Sequence, residues 1–92
     1  MLTHLVLMKF TDAADAPRAK ELLESLDGRV AEIRELRVLD VVGSEPSFDL
    51  CLITGHASVA ELAGYQRHPA HLEVASWLRP RLADRAVVDY ES

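Results

Sequence analysis

Residues 34–54 read RELRVLDVVGSEPSFDLCLIT, and this stretch decides the fold. Residues 34–43 read as one extended strand and 48–54 as another, with Ser44-Glu45-Pro46-Ser47 between them. Proline and serine punctuate that tetrapeptide as a turn, so the two strands form a hairpin with no helix between them.

Outward from the hairpin, each flank reads as strand and helix. Upstream, residues 2–10, LTHLVLMKF, form a strand bounded by the polar run TDAAD. Pro17 then suits the first turn of a helix preceded by Asp15 or Ala16. Ala19, Leu22, Leu23, Leu26 and Val30 recur on it at three- and four-residue spacing, with Gly28 weakening its end. Downstream, Ser58-Val59-Ala60-Glu61 has capping-box spacing and opens a helix through about Arg67. Pro69 cannot continue that helix but fits the first turn of another, which runs over residues 70–82. Residues 85–91, RAVVDYE, close as a fourth strand. The order β-α-β-β-α-β predicts a ferredoxin-like α+β protomer, a four-stranded antiparallel sheet with helices on one face, in one domain over residues 1–92.

Both strand faces are apolar. Leu5 and Leu7 oppose His4, Val6, Met8 and Phe10, and Phe48, Leu50 and Leu52 oppose Cys51 and Ile53. Helices cover one face only, so the pattern predicts a homodimer closed through the sheets, which would enclose a cavity on each sheet or pack solid.

Net charge is −5, and the only dense basic stretch is Arg79-Pro80-Arg81, so no nucleic-acid footprint is present. No apolar run approaches the roughly 20 residues of a membrane helix. The N-terminal apolar run is short, interrupted by Lys9 and without a basic leader, which argues against a signal peptide. A single cysteine, Cys51, fits a reducing cytoplasm and reads as core packing rather than a nucleophile.

The chemistry concentrates in residues 64–72, GYQRHPAHL. His71, Val74, Ala75, Leu78 and Leu82 make one helical stripe, which sets His71 on the apolar face near a helix N-terminus. Partial desolvation and the helix dipole both favour a neutral imidazole there, competent as a general base. Satisfied buried histidines outnumber catalytic ones, so spacing alone favours a plainer role, bonding a carbonyl and filling space. Tyr65 lies one turn before His68 and either aims its hydroxyl at the same space or packs its ring. His68 precedes Pro69, where capping is its plainest role. His4 converges on His71 if its strand face lines the cavity and belongs to the core if helices cover it. His4 and His68 are the candidate substrate contacts, and His56 after Gly55 is most simply a turn residue. His68 and His71 lack cysteine or carboxylate partners and are splayed by Pro69, so neither metal nor cofactor is expected.

The segments HLVLMKF, FDLCL, YQRHPAH and VVDY, in this order and spacing, resemble the stress-responsive dimeric α+β barrel (Dabb) family over essentially the whole chain. The resemblance implies a ferredoxin-like protomer dimerised through its sheets. Most members have no assigned activity, and some plant members are stress-associated stable proteins. A plant member, olivetolic acid cyclase, closes a linear polyketide by aldol condensation, using a tyrosine and the second histidine of its His-Pro-Ala-His element. Those roles fall on Tyr65 and His71, and His4 matches a further pocket histidine. Another pocket histidine of the cyclase corresponds to Leu50, and the remaining pocket positions are hard to match. Related haem-degrading barrels rely on asparagine, tryptophan and histidine. Trp77 is present here, but the chain has no asparagine.

Overall fold

A computed structural model describes residues 1–92. It has four strands, β1 (Leu2–Phe10), β2 (Glu35–Asp40), β3 (Leu50–His56) and β4 (Leu82–Glu91), and three helices, α1 (Ala16–Glu24), α2 (Val59–Arg67) and α3 (Pro69–Leu78). Short 3-10 turns at Ala13–Asp15 and Arg79–Arg81 lead into α1 and out of α3. The sheet order is β2-β3-β1-β4 with every neighbouring pair antiparallel, the ferredoxin-like arrangement.

β1 sits between β3 and β4, the two strands of the second βαβ repeat. Its residues alternate strictly between buried and half-buried. Leu2, His4, Val6, Met8 and Phe10 face the helices, where Val6, Met8 and Phe10 meet Leu23, Leu62, Val74 and Leu78 in one core. Each such aliphatic side chain stabilises the fold by about 1.5–3 kcal/mol through apolar burial. The other face carries Leu5, Leu7, Cys51 and Ile53, half-buried, with Leu39, Val88 and Tyr90 exposed at 38%, 54% and 44%. No element of the chain covers that face.

Several boundaries move. α1 ends at Glu24, and turns carry the chain onward with Gly28 at φ 80°, a left-handed conformation that favours glycine. Leu26 and Val30 are nonetheless fully buried, so the apolar spacing past Glu24 serves turns rather than helix. β2 is shorter than residues 34–43 and β3 is displaced from 48–54 toward its C-terminal end, because Gly55 and His56 continue the pairing opposite Thr3 and Leu2. α3 stops at Leu78, and Leu82, expected on its stripe, begins β4.

The Ser58 cap forms as its spacing predicts. Ser58 Oγ accepts the Glu61 N–H at 3.1 Å, while Glu61 Oε1 accepts the Ala57 N–H at 2.7 Å. Arg34 closes on the same carboxylate at 2.6 and 3.1 Å and, with the Ala57 amide, holds the Glu61 carboxyl down at about 2. α2, which carries Tyr65, is thereby tied to the start of β2.

Candidate functional site

Pro69 builds the site. Having no N–H, it cannot extend α2, and it pushes the preceding residue out of the helical region. His68 accordingly adopts φ −63°, ψ 136° and serves as C-cap of α2 and N-cap of α3. Its own N–H bonds the Tyr65 carbonyl at 3.0 Å, and its Nδ1 accepts the Ala70 N–H at 3.1 Å. The Ala70 amide is thus engaged by a side chain, and the Gln66 carbonyl in the last turn of α2 needs another donor. His71 supplies it, with Nδ1 3.0 Å from Gln66 O.

That bond fixes the tautomer. A carbonyl can only accept, so His71 Nδ1 carries the proton and a neutral ring leaves Nε2 as an acceptor. Burial is the main cause lowering the His71 pKa, opposed by the Gln66 bond and reinforced by the positive fields of Arg79, His4 and Arg85. The imidazole is therefore held neutral below the ordinary histidine range.

The junction also folds His71 back over Tyr65, with ring centroids 4.7 Å apart and planes at 64°. Tyr65 is 1% exposed, and no protein group bonds its hydroxyl, although no buried polar atom of the chain is sealed without a partner. The hydroxyl therefore reaches open space in the pocket. Burial pushes the phenol up to about 12, so it remains a donor.

Sheet register adds the third group. Thr54, His4 and Asp89 lie directly opposite one another on β3, β1 and β4, and opposite residues of antiparallel strands share a face. His4, 3% exposed, has Nδ1 2.5 Å from Asp89 Oδ1. The carboxylate accepts, so it orients the ring. His4 stands edge-on to Tyr65 at 6.4 Å between centroids.

His4, Tyr65 and His71 line a pocket of about 280 Å³ between the sheet and α3. Val6, Leu52, Val74 and Leu78 supply its apolar walls, and Arg79 and Arg85 also border it. The cavity thus lies on the helix-covered face within one protomer rather than at the uncovered face where a dimer cavity was expected. The two alternatives for His4 collapse into one, since the helix-covered face is also the pocket face.

His68 is absent from the pocket lining; its imidazole is committed to the cap. His56 is no turn residue. It ends β3 fully buried, with Nδ1 2.7 Å from Glu32 O and Nε2 2.8 Å from Thr54 Oγ1, and stacks on Tyr65 at 5.3 Å and 26°. It forms the floor under the phenol. Asp89, His56, Arg79 and Arg85 are site groups that sequence spacing misses. Cys51 is half-buried mid-strand, and burial raises its thiol pKa, so it is not an activated nucleophile. No group of three or more potential ligands gathers to hold a metal ion.

The Dabb family description, stress responsive A/B barrel domain, matches residues 2–92. The chain belongs to the Dabb family. No curated protein matches it significantly in sequence. Among solved structures, this Dabb chain is similar to a dimeric protein of unknown function with a ferredoxin-like fold from Bacteroides fragilis, at 24% identity and TM-score 0.86, covering 99% of this chain and 95% of that one. A dimeric ferredoxin-like protein of unknown function from Thermobifida fusca matches at 20% identity and TM-score 0.86, with 99% and 90% coverage. The hydroxynitrile lyase of Passiflora edulis matches at 18% identity and TM-score 0.83, with 97% and 90% coverage. At these identities the likeness establishes the shared fold. No helix of this Dabb chain is long and apolar enough to cross a membrane.

Proposed function

We propose that the pocket binds a small, largely apolar carbonyl compound or carboxylic acid and performs a polyketide cyclase-like, aldol-type reaction. The observation that carries this reading is the pairing of a Tyr65 hydroxyl that has no protein partner and opens to the pocket with an imidazole whose Nδ1 is already committed. His71 Nε2 takes a proton from the carbon alpha to a carbonyl. The C–H electron pair becomes the enolate double bond, and the carbonyl electrons move to oxygen, where the Tyr65 O–H donates to the developing charge. The enolate carbon attacks a second carbonyl of the same molecule, and the alkoxide formed recovers the proton from His71. His4, held by Asp89, contacts the substrate. His68 acts on the substrate only indirectly, by setting the angle of α3.

The alternative is a non-catalytic stress-associated or ligand-binding dimer. It is favoured by one observation: the His71–Gln66 bond already answers a structural need at the end of α2. In either case we infer that a second copy covers the uncovered sheet face, in a cytoplasmic dimer with which a single free cysteine, Cys51, is compatible. The dimeric state of the B. fragilis and T. fusca structures supports that assembly.

Turnover of linear β-polyketo acids by the wild-type chain and by His71→Ala separates the two readings. We expect product from wild type and about a hundredfold less or worse from the variant, at unchanged fold by circular dichroism. A fully active His71→Ala chain would overturn the mechanism.

A further inference from the structure

The pocket has two chemically different ends. At one end stand His4, Tyr65 and His71. At the other, Arg79 follows the last residue of α3, and Arg85 lies opposite Met8 on the helix-facing side of β4. His71 and Arg79 are eight residues apart, one leading and one trailing α3. At a rise of about 1.5 Å per residue their backbones stand roughly 12 Å apart. On the sheet, His4 and Met8 are separated by about 13 Å at roughly 3.3 Å per residue. Between the ends the lining is Val6, Leu52, Val74, Ala75 and Leu78.

Neither arginine is spent on the fold. The ion pairs of the chain use Arg18 and Arg34 but neither Arg79 nor Arg85, and no side-chain hydrogen bond draws on either guanidinium. The neighbouring Arg81 is by contrast fixed, stacked 4.1 Å over Trp77 and bonded to its carbonyl at 2.7 Å. The nearby carboxylates are engaged too: Asp84 accepts a backbone amide and Asp89 accepts His4. In a chain with 15 acidic residues and net charge −5, two unpaired guanidinia border the pocket that holds His4, Tyr65 and His71.

We propose that Arg79 and Arg85 bind the carboxylate of the substrate, so that the ligand is an elongated monoanion with its charge at the arginine end and its reactive carbonyl across an apolar spacer, between Tyr65 and His71. This deepens the reading above and rests on it, since it assigns the polarity of the same pocket. Planar guanidinium forks match a carboxylate in geometry, and at the exposed rim where Arg79 and Arg85 stand they confer selectivity against neutral analogues. Arginine flexibility lets the anion sit a few ångströms inward of the backbone positions, which accommodates a medium-length chain.

The test titrates the full chain with octanoate and with its neutral isostere octanamide, following tyrosine and histidine NMR signals and fitting Kd. Wild type is expected to bind octanoate about tenfold more tightly than the amide, with the preference declining as salt screens the charges. Arg79→Gln/Arg85→Gln should abolish the preference, chiefly by weakening octanoate. Arg29→Gln, which removes a cation away from this pocket, should preserve it. Equal binding of acid and amide, with Tyr65 and His71 signals moving, overturns the arginine assignment and leaves the pocket reading standing. Binding of neither probe overturns both.

Discussion

His71 spans the break between α2 and α3, its Nδ1–H donating to the Gln66 carbonyl at 3.0 Å. The bond holds the ring against Tyr65 and leaves Nε2 to the pocket. Burial first, then the Arg79, His4 and Arg85 charges, lower its pKa from the ordinary 6.5, against the raising effect of Gln66. The neutral base thus survives to more acidic pH than a free histidine. The acid limb of kcat/KM should have its midpoint below 6.5 and move upward in Arg79→Gln/Arg85→Gln. For stability the sign is the same. The contribution is complete above the unfolded value and is lost as pH falls from there through the lowered folded value. A midpoint above 6.5 in a kcat/KM profile would remove His71 as the base.

Tyr65→Phe distinguishes chemistry from packing. The hydroxyl has no protein partner to lose, so equilibrium unfolding should change by no more than about 0.5 kcal/mol. Turnover should fall about a hundredfold, the usual cost of removing one donor to a developing oxyanion. Unchanged turnover in steady-state kinetics would reduce Tyr65 to a spacer.

His56→Ala should act in the opposite way. It removes a fully buried ring that joins Glu32 O to Thr54 Oγ1 and supports the face of Tyr65. Lost packing and two unpaired polar groups together predict a destabilisation of about 2–4 kcal/mol in urea unfolding. A change under about 1 kcal/mol would mean that water and neighbouring side chains refill the site.

On the uncovered face, Leu7→Lys places a charge among Leu5, Leu39, Cys51 and Val88. If a second copy covers that face, size-exclusion chromatography with light scattering should register a dimer for wild type and a monomer for the variant. A monomeric wild type would leave this apolar face to some other partner.

The hairpin and the α2–α3 break are legible in the sequence because proline and turn residues act locally. Pro69 forces its effect on His68 and Ala70 whatever surrounds them. The Tyr65–His71 proximity follows from that junction, and the stripe through Val74 and Leu78 puts His71 beside the core. Asp89 is not legible in the same way. Its approach to His4 exists only once β4 pairs with β1 in one register, which no local pattern dictates. His56 follows a glycine in a run that resembles a turn, yet pairing with Leu2 extends β3 through it. Likewise, alternation shows that the sheet has two apolar faces without saying which one leaves room. The space arises because β4 is an edge strand that α3 only partly overlies, leaving Val87 40% exposed although it pairs with the buried Val6.

Tyr65 and His71 ride on different helices joined through the single cap residue His68. Each residue added to or removed from an α-helical path turns everything beyond it by about 100°. An insertion or deletion at His68 would swing His71 off the pocket and bring Ala70 or Leu72 toward its place, while Tyr65 stayed on its His56 floor. Substitutions at the junction perturb an angle; changes of length re-index the site. The six-residue interval from Tyr65 to His71 is therefore what keeps both side chains on one pocket.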